Sequence, residues 1–126
     1  MLPLAVLMTR DIKAVDRDAS VRDAARLMRD KGVGSLLVEA SGQYIGIISE
    51  TDVVRRGVAE GLDIDHAPVH RLMSSPIITL DIKKSAVEAN ALMSERSIRH
   101  LVITEEGKMV GVLSVRDLLV YFKNQF

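Results

Sequence analysis

The heptapeptide GIISETD at residues 46–52 is the most informative segment of the chain, because it recurs as GVLSVRD at residues 111–117. The match extends at the same offset without a gap, so that residues 7–56 overlie residues 72–121 with thirteen identities in fifty positions. Repeats of this kind are supersecondary units that cannot bury their apolar face alone. We therefore expect the two copies to share one core, with pseudo-twofold symmetry and two related clefts between the halves.

Each copy carries the same order of predicted elements. Residues 12–15 form a short apolar stretch, Ser20 opens a helical pattern that Gly32 ends, and helix resumes near Glu50. Two β-rich runs, residues 36–38 and 44–48, lie between these helices and are joined by a hairpin loop. The second copy repeats this order at residues 77–80, 85–96, 101–103, 109–113 and 115–123.

The order is βαββα in each copy, which predicts an α+β fold with an α/β-like pattern. We place the first unit at residues 1–62, including a short helical lead-in at its start. The second unit covers residues 63–126 and begins with a linker, since residues 60–68 are polar.

Composition removes several classes of function. Seventeen basic and seventeen acidic residues cancel, and two Phe, two Tyr and no Trp leave little aromatic surface for stacking bases, so we expect no nucleic-acid partner. The apolar start at residues 1–8 is far shorter than the ~20 residues that span a bilayer, and no membrane partner is expected. The absence of cysteine fits a reducing compartment, and we predict a cytoplasmic protein.

Catalytic and metal-binding patterns are missing from the sequence. The three histidines lack zinc-ligand spacing, and neither a phosphate-binding loop nor a nucleophile elbow occurs. We therefore predict no enzyme activity and no metal site.

A Ser followed three residues later by Asp or Glu occurs four times where a helix should begin. Ser20 with Asp23 and Ser85 with Glu88 fit a helix N-cap, in which the hydroxyl accepts from the backbone N–H three residues on.

The other two pairs, Ser49 with Asp52 and Ser114 with Asp117, follow an apolar strand directly. A helix N-terminus at the end of a strand suits a phosphate. A carboxylate beside it makes chemical sense if it accepts from neutral donors such as a ribose cis-diol. On the residues alone, the cap and the ligand interpretations stand about even.

Two βαββα units in tandem, each ending in G-h-x-[ST]-x-x-D, resemble a pair of cystathionine β-synthase (CBS) domains, the regulatory Bateman module. The resemblance covers residues 7–122, and both motifs are complete. It implies that the clefts between the units bind adenosine-containing ligands such as AMP, ADP, ATP, S-adenosylmethionine or NAD. The motif Asp would hold the ribose hydroxyls, and its neighbours would lie near the ribose or the phosphates.

The resemblance assigns residues to both clefts. The ribose and phosphate side falls on Asp52, Ser49 and Thr51 in one cleft, and on Asp117, Ser114 and Arg116 in the other. The opposite unit would supply the adenine side, which for the Asp117 cleft comprises Ile12, Lys13, Ala14, Val33, Gly34 and Ser35, and for the Asp52 cleft Ile77, Ile78, Thr79, Ile98, Arg99 and His100.

The two predicted clefts are not equivalent. Gly34 and Ser35 leave room beside Asp117, whereas the matching Arg99 and His100 either fill the Asp52 cleft or donate to phosphates. Arg116 replaces Thr51 and can bind a phosphate with its guanidinium fork. We therefore favour the Asp117 cleft, with solvent-exposed surface arginines as the equal alternative for Arg99 and Arg116.

The resulting functional hypothesis is a regulatory, ligand-sensing CBS pair without catalysis. AMP or ATP is the expected regulatory ligand, and no cofactor is obligatory. The expected partners are a second copy in a homodimer, because the helices carry more apolar surface than two small sheets can cover, and a separate regulated protein. The alternative is a structural or dimerisation module that has lost its ligand and interacts with a partner protein.

Overall fold

We analysed a computed structural model of the chain, which describes residues 2–123. Each repeat has the predicted βαββα order within a mixed α+β fold. In the first repeat the elements are β1 (Ala14–Asp16), α2 (Val21–Lys31), β2 (Ser35–Ala40), β3 (Gln43–Ser49) and α3 (Glu50–Asp52), and a short helix α1 (Leu4–Leu7) precedes them. In the second repeat they are β4 (Thr79–Asp81), α4 (Ala86–Arg96), β5 (His100–Glu105), β6 (Lys108–Ser114) and α5 (Val115–Lys123).

The two three-stranded sheets have the same topology. In each, the first strand pairs in parallel with the second, and the second pairs antiparallel with the third, giving the orders β1-β2-β3 and β4-β5-β6. The hairpin turns place Ser41 and Gly42, and likewise Glu106 and Gly107, at positive φ, which matches the backbone twist of a tight antiparallel connection. The β-rich runs and hairpin loops are therefore confirmed.

Helices α2 and α4 begin and end as their sequences predict. The hydroxyl of Ser20 accepts from the Asp23 N–H, and the hydroxyl of Ser85 accepts from the Glu88 N–H. Gly32 follows α2 with φ 66°, a conformation that glycine adopts without strain. Both N-cap interpretations are confirmed.

One predicted helix is different. The sequence predicts that helix resumes near Glu50, and in the structure α3 has only three residues before the chain widens into a π-helix at Val53–Val58. The backbone N–H of Ala59 accordingly donates to the Val54 carbonyl, five residues back. The matching segment of the second repeat is the regular helix α5.

The described chain divides into two compact units, one of residues 13–77 and the other of residues 2–12 with 78–123. Each has its own apolar core, so the prediction that the two copies share one core is wrong: the buried apolar side chains form two separate clusters, one in each unit. The first contains Val21, Ala24, Met28, Leu36, Val38, Ile48, Ala67, Val69 and Leu72, and the second contains Leu4, Leu7, Met8, Ala86, Ala89, Met93, Leu101, Ile103, Leu113, Leu118 and Tyr121.

The bounds of these units differ from the domain boundary that the sequence suggested between residues 62 and 63. The lead-in, read as part of the first unit, buries Leu4 and Leu7 in the core of the second repeat. In the structure the linker extends from residue 60 to residue 74, and it buries Val69 and Leu72 in the core of the first repeat. The repeat boundary describes the duplicated sequence, whereas the packing units follow the apolar side chains.

The linker is held onto the start of α2. The backbone N–H groups of Val21 and Arg22 donate to the carbonyls of Ala67 and Ile64 at 3.0 and 2.9 Å. Arg22 also forms an ion pair with Asp65. Linker carbonyls thus satisfy two of the N–H groups that the first turn of a helix leaves free.

Candidate functional site

The predicted site residues of the first unit meet at one end of its sheet. Ser35 opens β2 opposite Ser49, which closes β3. The backbone N–H of Glu50 donates to the Gly34 carbonyl at 3.0 Å, and that of Leu37 donates to the Lys13 carbonyl at 3.0 Å. This end of the sheet therefore gathers the following predicted residues: Lys13, Ala14, Val33, Gly34, Ser35, Ser49, Thr51 and Asp52.

The second unit repeats this arrangement. His100 opens β5 opposite Ser114, the last residue of β6. The Val115 N–H donates to the Arg99 carbonyl at 2.9 Å, and the Val102 N–H donates to the Ile78 carbonyl at 3.2 Å. The predicted residues at this end are Ile78, Thr79, Ile98, Arg99, His100, Ser114, Arg116 and Asp117.

Ile12 and Ile77 are the last residues of their segments before the chain passes from one unit to the other. Each predicted cleft combines motif residues of one unit with adenine-side residues of the other, and this combination remains a prediction. What the structure gives is a matching sheet end in each unit, with a motif carboxylate and the strand-opening residues close together.

The Asp52 carboxylate closes a capping box. Its Oδ2 accepts from the Ser49 backbone N–H at 2.9 Å and from the Ser49 hydroxyl at 3.0 Å. The Asp52 backbone N–H in turn donates to the Ser49 hydroxyl oxygen at 3.2 Å. The Asp52 side chain is only 15% exposed, so this carboxylate is mostly enclosed.

Asp117 has a related geometry with fewer contacts. Its Oδ2 accepts from the Ser114 backbone N–H at 2.8 Å, and its own N–H donates to the Ser114 hydroxyl at 3.1 Å. Among residues 2–123, no cation forms an ion pair with Asp117. Asp117 is half-buried, and the adjacent Arg116 is exposed.

The same reciprocal bonds occur where no ligand is predicted. Glu88 accepts from the Ser85 N–H at 2.8 Å, and this hydrogen bond, with one from the Ser85 side chain, lowers the pKa of the Glu88 carboxyl. Cap geometry alone therefore does not distinguish a structural pair from a ligand site. The distinction rests on what surrounds each carboxylate.

A family model, that of the CBS domain, matches the chain twice, at residues 5–59 and 69–124. The chain belongs to the CBS domain family.

Relatives of the whole CBS pair occur among bacterial and archaeal proteins. The chain is 30% identical to the CBS domain-containing protein YhcV of Bacillus subtilis over 90% of this chain and 80% of YhcV. It resembles the crystal structure of a conserved protein from Pyrococcus horikoshii at 37% identity and a TM-score of 0.88, covering 96% of this chain and 92% of that one. A Burkholderia ambifaria protein, described as a candidate signal-transduction protein with CBS domains, aligns at 32% identity and a TM-score of 0.86, covering 93% and 87%.

Some relatives are much longer than this CBS pair. The chain spans only 57% and 30% of the length of two archaeal proteins that it matches at 32% and 27% identity.

The glycine that opens each CBS motif has a packing role that the sequence interpretation missed. A Cβ on Gly46 would lie 2.6 Å from the Met73 sulfur and 2.9 Å from the Ser74 carbonyl oxygen. On Gly111, a Cβ would lie 2.9 Å from both the Met8 sulfur and the Thr9 carbonyl oxygen. The motif strand needs glycine because another segment lies directly against its backbone.

That segment is the lead-in in one unit and the linker in the other. Thr9 and Val112 exchange two backbone hydrogen bonds of 2.9 Å, and Ile47 and Ser74 exchange bonds of 3.1 and 2.8 Å. The repeated Leu-Met at residues 7–8 and 72–73 was the available sequence signal for this contact.

A second missed residue is Arg56. Its Nη1 donates to the Leu72 carbonyl at 2.8 Å and lies 3.8 Å from Oδ1 of Asp52. The matching position of the second CBS repeat is Tyr121, a buried core residue. The carboxylates of the two motifs therefore have different electrostatic surroundings.

Within residues 2–123, no three His, Cys, Asp or Glu side chains cluster in a way that could hold a metal ion. In the same part of the chain, no helix is long and apolar enough to cross a membrane.

Proposed function

We propose that this CBS pair is a non-catalytic regulatory module that binds an adenosine-containing ligand, with Asp117 accepting hydrogen bonds from the ribose hydroxyls. The observation that carries the proposal is the half-buried Asp117 carboxylate, which has no ion-pair partner within the described chain and lies at the end of β6. A carboxylate can accept at both oxygens. The backbone contact with Ser114 occupies only part of that capacity.

Arg116 supports a ligand that carries phosphate. It is exposed and adjacent in sequence to Asp117. A guanidinium there provides the donors that a phosphate requires. AMP and ATP are accordingly the first ligands to test, followed by ADP, S-adenosylmethionine and NAD. The contribution of adenine-side residues from the other repeat is part of the proposal.

A thermal-shift screen with these five compounds tests the proposal. A ligand present at a hundredfold excess over its dissociation constant stabilises the folded state by ~2.7 kcal/mol. For a domain of this size, the melting temperature should then rise by several degrees or more. Guanosine and cytidine monophosphates serve as matched controls, because they carry the same ribose and phosphate without adenine.

The second candidate is a structural module without a ligand. It is favoured by the complete capping box at Ser49 and Asp52, which already engages the carboxylate that the family motif would offer to ribose. Under this alternative, none of the five compounds changes the melting temperature at millimolar concentration.

Self-association is part of the proposed function, and exposed apolar side chains support it. Val87, Leu119 and Val120 are 56%, 60% and 53% exposed on helices α4 and α5. Apolar surface left open in this way commonly marks an interface. We propose a homodimer that communicates with a separate regulated protein. Light scattering at tens of micromolar should give at least twice the monomer mass, and a strictly monomeric mass would contradict the homodimer.

A further inference from the structure

The two CBS motifs differ most at the fourth residue after the motif Asp. In the second repeat that residue, Tyr121, is buried in the unit core. In the first repeat it is Arg56, whose guanidinium lies 3.8 Å from Oδ1 of Asp52. Because the two repeats are copies of one unit, Arg56 and Tyr121 occupy the same position and can be compared directly.

Arg56 lies within the π-helix. In this segment Gly57 faces the core, and a Cβ there would lie 3.2 Å from Cδ2 of Leu72. The preceding residue, Arg56, reaches the carbonyl of the same Leu72 at 2.8 Å. π-helical turns are rare and are frequent at functional sites. Here one cation in the π-helix contacts both a linker carbonyl and a motif carboxylate.

The Asp52 carboxylate is consequently hard to reach, because its side chain is only 15% exposed and has Arg56 beside it. Its Oδ2 takes two hydrogen bonds from Ser49, and its Oδ1 faces Arg56. A ribose diol would have to approach Oδ1, and it would compete there with the guanidinium for the carboxylate. Asp117 accepts the corresponding backbone bond from Ser114, and within residues 2–123 it forms no ion pair of the kind that joins Asp52 to Arg56.

We propose that Arg56 prevents nucleotide from binding at the Asp52 motif and instead connects that motif to the linker through its contacts with Asp52 and Leu72. The chain then binds one nucleotide, at Asp117. This inference rests on the proposed function for the number of sites. The linker segment that Arg56 holds continues into Ser74, whose N–H donates to the Ile47 carbonyl in the motif strand. Arg56 is therefore a specificity-determining residue of the first motif.

Calorimetric titration with AMP tests the proposal through the number of sites. The parent should bind one AMP per chain, and Arg56→Gln should bind two, because Oδ1 of Asp52 is released from the guanidinium. The control Arg55→Gln changes the neighbouring arginine and should still bind one. Arg56→Lys keeps a cation near Asp52 and should also bind one. Two sites in the parent, or one site in Arg56→Gln, would overturn the inference while leaving nucleotide binding established.

A ligand-free measurement separates this inference from the proposed function. Amide exchange at Ser74 should be faster in Arg56→Gln than in Arg55→Gln, by roughly two- to tenfold for the loss of one hydrogen bond. If neither the parent nor Arg56→Gln binds AMP, the proposed function fails, and equal Ser74 exchange in the two variants would overturn the inference as well. If Arg56→Gln alone binds AMP, the inference stands and the Asp117 assignment fails.

Discussion

Replacing the motif glycines tests the packing that fixes the two sheet ends. In Gly46→Ala the new methyl group would lie 2.6 Å from the Met73 sulfur and 2.9 Å from the Ser74 carbonyl oxygen. The methionine side chain can rotate away. The carbonyl cannot move freely, because Ser74 and Ile47 exchange two backbone hydrogen bonds. Gly111→Ala meets the Thr9 carbonyl in the same way.

The expected loss follows from this overlap. Overpacking of this kind lowers the unfolding free energy by ~1–3 kcal/mol. Alanine also reduces the conformational entropy of the unfolded chain, which raises the unfolding free energy by only ~0.4–1 kcal/mol. Each variant should therefore lose about 1–2 kcal/mol of unfolding free energy, measured by urea denaturation from the midpoint at an unchanged slope.

Gly57→Ala is the matched control for both variants. Its methyl group would meet Leu72 Cδ2 at 3.2 Å, and that side-chain atom can shift. Alanine also favours a helical segment over glycine by ~1 kcal/mol, so this variant should stay within about 1 kcal/mol of the parent. If Gly46→Ala and Gly111→Ala were as stable as the parent, the close approach of the linker and lead-in to the motif strands would be refuted.

Two further predictions concern the linker and the α4 cap. Leu72→Ala should lower the unfolding free energy by ~2–5 kcal/mol, because Leu72 is fully buried in the first core, whereas Val6→Ala, at a side chain 64% exposed, should change it by no more than ~0.5 kcal/mol. Comparable urea midpoints for the two would contradict the place of the linker in that core. The pKa of Glu88 is lowered from 4.5 in the folded state, so its contribution to stability is present above pH 4.5 and is lost as the pH falls through the lowered folded pKa. The stability difference between the parent and Glu88→Gln should therefore shrink on acidification, and a difference that is constant with pH would refute the cap's electrostatic role.

The sequence predicted the elements of the fold well because each local signal acts within its own segment. The bounds of α5 follow from the repeat, and the caps at Ser20 and Ser85 follow from hydroxyl chemistry. The exchange of lead-in and linker between repeats could not be predicted. Leu7 and Leu72 are the same residue type at matching positions, so apolar pattern alone does not say which core each one enters.

The site was predicted at the level of the motif and not of its surroundings. Both Ser–Asp pairs lie where the motif placed them, at the ends of β3 and β6. Arg56 was overlooked because its contact with Leu72 spans sixteen residues, which a local sequence pattern does not reveal. A helical pattern in sequence also does not distinguish an α-helical from a π-helical turn, so the π-helix at Val53–Val58 was not predicted.

The most direct test of nucleotide binding is calorimetric titration of Asp117→Asn with AMP, beside the parent and Asp23→Asn. An asparagine oxygen still accepts from the Ser114 N–H, so the cap is retained and the melting temperature should change little. If Asp117 holds the ribose, the loss of hydrogen bonds to a charged group, at ~1.5–3 kcal/mol, weakens AMP binding by roughly ten- to a hundredfold. Asp23 is exposed and faces Arg26 at 3.5 Å, and its substitution should leave the affinity unchanged. Equal affinities for all three proteins would show that the Asp117 motif is structural and would contradict the proposed function.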